Sequence, residues 1–174
     1  MNLASYVRVV PDFPKKGIMF RDISTLIKVP IVFEEVISRM SSGWSGKIDA
    51  IVALDARGFI FGAPMALKLG VPLVLVRKKG KLPGDTESIA YDLEYGTGNL
   101  EIHKDAFEIE GIVGIPRVLV VDDLLATGGT VKATSRLIKN LGAEVVGFEF
   151  VIELSCLSGR SVLDGYPVRA AITY

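Results

Sequence analysis

Cysteine, histidine and tryptophan each occur once in this 174-residue chain, as Cys156, His103 and Trp44. One cysteine rules out an intrachain disulfide and makes a reducing compartment the simplest expectation. One histidine removes histidine-based triads and multi-histidine metal sites. His103 reads as ordinary surface just past a hairpin, and Trp44 as a packing residue. Net charge is missing too, because twenty Lys and Arg cancel twenty Asp and Glu. No overall field therefore draws the protein to nucleic acid or to an anionic membrane, and any basic partner site must be local. Mean hydropathy is positive, yet no apolar run approaches the ~18 residues of a membrane span. Residues 1–20 mix Arg8, Asp12, Lys15 and Lys16 among prolines, unlike a secretory signal. The expectation is a soluble cytoplasmic protein of one domain, with no internal repeat and no low-complexity tract.

What is present concentrates in residues 117–142, RVLVVDDLLATGGTVKATSRLIKNLG. Residues 118–121 form an apolar run short enough for a strand buried on both faces. Asp122 and Asp123 close that run, and residues 124–130 turn the chain. Val131, Thr134, Leu137, Ile138 and Leu141 then mark one face of a helix, with Gly142 as its stop. Such a strand, small-residue turn and helix start make an anion site. The N–H groups of Ala126, Thr127, Gly128, Gly129 and Thr130 converge, with the positive end of the helix dipole behind them. Two carboxylates beside an anion would repel it, so Asp122 and Asp123 must meet another part of the ligand. Ionised, they only accept hydrogen bonds, which suits neighbouring hydroxyls or a metal-bound water. A phosphate next to a vicinal diol is a ribose 5-phosphate. The plainer alternative makes the acids a loop start and the glycines turn formers. The buried strand, the double acid and the following helix together outweigh it. The lysine of GxxxxGK[ST] and the spacing of GxGxxG are both missing.

The rest of the chain reads in order. Residues 1–29, with P-D-F-P-K-K-G, predict an irregular arm packed through Phe13, Phe20 and Ile23. Residues 30–40 predict a helix with proline in its first turn. Residues 48–54 predict a buried strand, Asp55, Ala56, Arg57 and Gly58 a turn, and a helix then runs to near Gly70. Arg57 suits a diphosphate, but it equally suits a surface position beside a tight turn. Residues 72–76 predict a third buried strand, followed by Arg77, Lys78, Lys79 and Lys81. Such a cluster is often a solvated loop. Here it sits at the carboxyl end of a strand, the edge where open α/β sheets bind ligands. Residues 88–95 alternate, Gly96, Thr97 and Gly98 are expected to turn the chain, and Leu100 and Ile102 resume the alternation. That is a hairpin inserted between parallel strands, on whose polar face Glu94 reads as an exposed residue. Residues 109–117 are long and apolar for a turn. Residues 145–154 predict a strand, 155–163 a short helix or turn, and 168–173 a final strand. Strand–turn–helix units of this kind predict an α/β fold, a single domain with a mainly parallel sheet flanked by helices.

VVDDLLATGGT resembles the phosphoribosyl-pyrophosphate (PRPP) motif of type I phosphoribosyltransferases. FPKKGIMFRDIS, DARGFIFG, RKKGKLPG and LEYG resemble adenine phosphoribosyltransferases in particular, and together these stretches span most of the chain. The resemblance implies the type I fold, with residues 1–29 as a hood over the purine and 78–104 as a hairpin flap. It implies transfer of the phosphoribosyl group of PRPP to adenine, with Mg2+ carried by the substrate and no metal held directly by protein. It places Asp122, Asp123 and Glu94 as catalytic, Glu94 handling the proton on the reacting purine nitrogen. It places residues 126–130, Asp55, Ala56, Arg57, Arg77, Lys78 and Lys81 on PRPP, and Met19, Phe20 and Arg21 at adenine. Backbone groups of Met19 and Arg21 would read the base edge. Ala56 stands where a common family form has serine, which matters little for a backbone contact. The resemblance also implies a homodimer. The rivals are an enzyme for another purine and a PRPP-sensing regulator without chemistry. The hairpin acid, the purine hood and the lack of a basic nucleic-acid face weigh against the regulator.

Overall fold

The computed structural model describes residues 1–93 and 96–174. Glu94 and Tyr95, and with them the acid of the LEYG motif, lie outside the described residues. The chain opens with a 3-10 turn at Leu3–Tyr6 and an antiparallel pair, β1 (Arg8–Pro11) and β2 (Met19–Asp22), which forms a small sheet of its own. Phe13 meets Phe20 edge-on with ring centroids 5.0 Å apart, and Ile23 is buried. A single-turn helix, α1 (Ser24–Ile27), leads to α2 (Pro30–Ser41). Pro30 starts α2 because its fixed φ suits the first turn, where an N–H would be unpaired anyway. Val32, Val36, Ile37 and Met40 give α2 its buried stripe.

Strand β3 (Ala50–Leu54) is buried throughout, as an apolar strand covered on both faces must be. It is followed by α3 (Gly58–Leu69) and then by β4 (Leu73–Lys78), parallel to β3. The hairpin β5 (Thr86–Leu93) and β6 (Gly96–His103) joins the sheet through an antiparallel β6–β4 pairing. Strand β7 (Arg117–Leu125) returns beside β3, α4 (Gly129–Asn140) crosses over, and β8 (Glu144–Glu153) and β9 (Val168–Thr173) complete the sheet. The order is β5-β6-β4-β3-β7-β8-β9, parallel from β4 to β9 with an antiparallel ribbon at one edge. Helix α4 packs on one face, where Leu137 and Ile138 join Val52, Val118, Val120 and Phe148. Helices α2 and α3 pack on the other, where Val36, Phe61 and Met65 join Ile51, Leu119 and Val121. The fold is the expected α/β class.

Four expectations need correction. Asp122 and Asp123 do not close the strand. They lie within β7, which pairs with β8 as far as Leu125 opposite Glu153, because Leu125 still finds a buried apolar site. Gly96, Thr97 and Gly98 do not turn the chain. They pair in β6 with Leu93, Asp92 and Tyr91, and glycine suits position 98 because a Cβ there would lie 2.6 Å from the Tyr91 ring. His103 is not past the hairpin but is the last residue of β6, and it is half-buried. The arm of residues 1–29 is not irregular, since it carries a 3-10 turn, β1, β2 and α1. As expected of a turn, residues 109–116 form no regular element, and Val113 and Ile115 are exposed.

Candidate active site

Neighbouring parallel strands deliver three loops to one edge of the sheet. In register, Leu54 stands beside Val76 and Ala53 beside Val121. The carboxyl ends of β3, β4 and β7 therefore lie side by side, and the loops carrying Asp55–Arg57, Lys78–Lys81 and Ala126–Gly128 leave from there. Open parallel sheets hold their ligands at this edge.

The third loop has the geometry of an anion cradle. Gly128 precedes α4 with φ of 82°, a left-handed conformation that L side chains rarely adopt. A Cβ at Gly128 would strike the Val162 side chain and lie 2.7 Å from the Gly159 carbonyl oxygen. The glycine thus also closes the loop against the 3-10 turn Gly159–Leu163. Among the described residues, no hydrogen bond within the protein takes up the N–H groups of Thr127, Gly128, Gly129 or Thr130. Four unused donors at a helix start are what an oxyanion needs.

The two acids sit beside the start of α3. A Cβ on Gly58 would lie 3.0 Å from an Asp122 carboxylate oxygen. Asp123 Oδ2 lies 2.9 Å from Arg57 Nε. Burial and the neighbouring Asp123 charge push the Asp122 carboxyl well above the ordinary carboxylate range. Burial raises Asp123 too, against the pull of Arg57. The Asp123 N–H donates to Asp122 Oδ1 at 2.8 Å. Arg57 therefore faces an acid, and its guanidinium lies 5.5 Å from the Phe20 ring centre.

The first two loops are tied together. Arg77 Nε donates to Asp55 Oδ2 at 3.0 Å, and Arg77 Nη1 donates to the Lys81 carbonyl at 3.2 Å. The peptide between Asp55 and Ala56 is cis. Lys78 and Lys81 are exposed. In the arm, Ile18 accepts at its carbonyl from the Phe13 N–H, on the side of β1. Strand β2, which carries Met19, Phe20 and Arg21, pairs with β1 along one edge and leaves its other edge open. The Arg21 side chain packs over the Tyr174 ring, 4.0 Å from its centre. A cleft of about 310 Å³ between hairpin and α4, lined by Tyr91, Thr97, Gly129, Lys132 and Arg136, borders the cradle.

Reading the sequence missed three residues that shape these loops. Gly58 follows Arg57 directly and was within reach of a close-approach argument. Gly159, more than thirty positions from the cradle, had no local signal. Glu101 looked like the polar member of a strand alternation, but it is buried and accepts at 2.9 and 2.8 Å from the N–H groups of Lys81 and Leu82.

A parallel α/β sheet whose carboxyl edge gathers a helix-start cradle, twin acids and a cation loop defines a class that handles phosphorylated sugars. The phosphoribosyl transferase domain family matches residues 27–169. The chain is 51% identical to the adenine phosphoribosyltransferase of Alkaliphilus metalliredigens over the full length of both. Its structure is similar to that of adenine phosphoribosyltransferase from Thermoanaerobacter pseudethanolicus, with a TM-score of 0.90, 47% identity and 99% and 98% of the two chains covered. It is also similar to the Saccharomyces cerevisiae enzyme complexed with adenine and an imino-altritol bisphosphate, with a TM-score of 0.86, 39% identity and 97% and 95% covered. The chain belongs to the phosphoribosyl transferase domain family and, within it, to the adenine phosphoribosyltransferases.

Proposed function

We propose that this enzyme transfers the 5-phosphoribosyl group of PRPP to adenine, giving AMP and pyrophosphate in purine salvage. The observation that carries the reading is the set of unused N–H groups at residues 127–130, next to the half-buried Asp122 and the buried Asp123 on the same strand–turn–helix unit. The amides hold the 5-phosphate, and the acids accept hydrogen bonds from the two ribose hydroxyls. As the diphosphate leaves, the anomeric carbon gains positive charge, and nearby carboxylates stabilise it. Arg57 has donors to spare beyond the one aimed at Asp123, so it bridges that acid and the diphosphate. Arg77, Lys78, Lys81 and the backbone of Asp55 and Ala56 complete the diphosphate site. Mg2+ arrives with PRPP and offsets diphosphate charge.

Adenine lies against β2, whose open edge offers the backbone of Met19 and Arg21, with Phe20 between them. Adenine presents an amine donor beside a ring acceptor. A base with the reverse pattern would leave buried groups unpaired. Glu94 accepts the proton of the attacking ring nitrogen. On this reading residues 1–174 are one domain, 1–29 the hood and 78–104 the flap. The reading includes a cytoplasmic homodimer, to which the exposed Ile60 and Leu67 of α3 offer an apolar face.

The test is to supply adenine, PRPP and magnesium and to follow AMP by chromatography, with hypoxanthine, guanine and xanthine in parallel. AMP formation from adenine alone is the expected result. Fast turnover of another purine with none of adenine would overturn the substrate, and turnover of none would leave a PRPP-binding regulator.

A further inference from the structure

We propose that Glu101 is the positioning residue of the diphosphate site, shaping the loop that presents Arg77, Lys78 and Lys81; this rests on the assignment of those cations to the diphosphate. Glu101 stands directly across from Arg77 in the β4–β6 pairing. Its neighbours Leu100 and Ile102 enter the core on one face of β6, so Glu101 points to the other, where the chain leaving β4 folds back over it. One carboxylate oxygen takes two successive backbone N–H groups, those of Lys81 and Leu82. The loop is fastened at other points as well. Lys79 N–H donates to the Asn99 carbonyl at 3.1 Å, and Arg77 donates to the Lys81 carbonyl. A continuous chain of polar contacts thus runs from Asp55 through Arg77 and the backbone of Lys81 to Glu101.

A buried carboxylate is a costly way to fill space, and an apolar side chain would fill it without that cost. Burial works against the Glu101 charge, yet the N–H groups of Leu82, Gly80 and Lys81 outweigh it and hold the carboxyl below its ordinary range. The charge is therefore retained, and it is spent on backbone donors of a loop with no regular structure of its own. Convergent amides of this kind commonly hold a ligand anion. Here a residue of the protein occupies them, so that the cationic side chains of the same loop face outward in one arrangement before the substrate arrives. Preorganisation of that sort lowers the cost of ordering the loop on binding. It acts only on ligands that carry the diphosphate.

The test compares PRPP and AMP, which share the ribose 5-phosphate and differ at the anomeric carbon, where PRPP carries the diphosphate and AMP carries adenine. Calorimetry on Glu101→Ala should show PRPP binding weakened about tenfold or more, with AMP binding unchanged. Glu101→Gln keeps an acceptor oxygen and should restore most of the PRPP affinity. Glu101→Asp keeps the charge but withdraws the oxygen, so it should weaken PRPP selectively even where the alanine variant does not fold. Equal weakening of both ligands would mark a general structural role and overturn the proposal, as would unchanged binding of PRPP. Lys81→Ala is the control. If it weakens PRPP while the Glu101 variants do not, the positioning role fails alone. If it leaves PRPP untouched, the diphosphate assignment fails and the Glu101 role with it.

Discussion

Asp122 and Asp123 occupy surroundings that oppose their own charge. Burial raises both, and the Asp123 charge further raises the cost of ionising Asp122. On the proposed reading the pair meets donors, the ribose hydroxyls and the cationic sugar of the transition state, which offset that cost. The consequence for stability follows from linkage. The folded protein holds the Asp122 proton more tightly than the unfolded chain does. Its contribution is complete below the ordinary carboxylate value and is lost as pH rises through the raised one. Asp122→Asn removes that loss. Its melting temperature should gain on the wild type progressively as pH rises from the ordinary carboxylate range to alkaline pH, while turnover falls on the order of 100-fold. A constant difference across that range, or unchanged turnover, would contradict this account of the acid.

At the scale of elements, the cradle is a joint between two turns. A Cβ on Gly159 would collide with the Ala126 carbonyl oxygen and lie 3.0 Å from Leu125 Cδ1. The turn bearing Gly159 is held in turn by Arg160, which pairs with Glu153 and donates to the Val168 carbonyl. Gly159→Ala should therefore cost about 1–3 kcal/mol by overpacking, visible in urea unfolding, and should weaken AMP binding. Normal AMP affinity in a destabilised variant would separate this turn from the cradle. This joint also marks where sequence reading stops. The strand, twin acids, glycines and helix of residues 117–142 were legible because apolar period, turn chemistry and a helix start all lie within one window. The Gly159 contact was not, since it depends on two turns meeting across the end of β8. The length of β7 was misjudged because aspartate is uncommon inside a strand, and pairing with β8 overrode that preference. The hairpin was legible from its alternation, whereas Gly96, Thr97 and Gly98 belong to β6, where Gly98 makes room for the Tyr91 ring.

For the molecule as a whole, binding at the carboxyl edge needs a sheet that stays in register under α2 and α3, and a second buried acid helps to hold it. Glu149 of β8 accepts from Trp44 Nε1 at 2.6 Å and pairs with Arg169 of β9 at 3.0 Å. Arg169 also donates to the carbonyls of Ser42 and Arg39 at the end of α2, so one cluster ties that helix to two strands. Trp44 is the packing residue its uniqueness suggested, and its ring fills the space left by the missing side chain of Gly147. Burial raises the Glu149 carboxyl to about 7 in spite of both partners. The fold gains most from this group when it is protonated, and that gain is lost as pH rises from the ordinary glutamate range through about 7. The shift corresponds to up to about 3 kcal/mol. Glu149→Gln keeps an acceptor for Trp44 and does not titrate, and Arg169 keeps its two carbonyls. The urea midpoint of the wild type should fall between about pH 5 and about pH 8, and the glutamine variant should show a shallower fall. Because Glu149 touches none of the three loops, AMP formation at neutral pH should be unchanged in that variant. A pH dependence as steep as the wild type's would mean that Glu149 stays ionised when folded, with Asp122 carrying the whole effect.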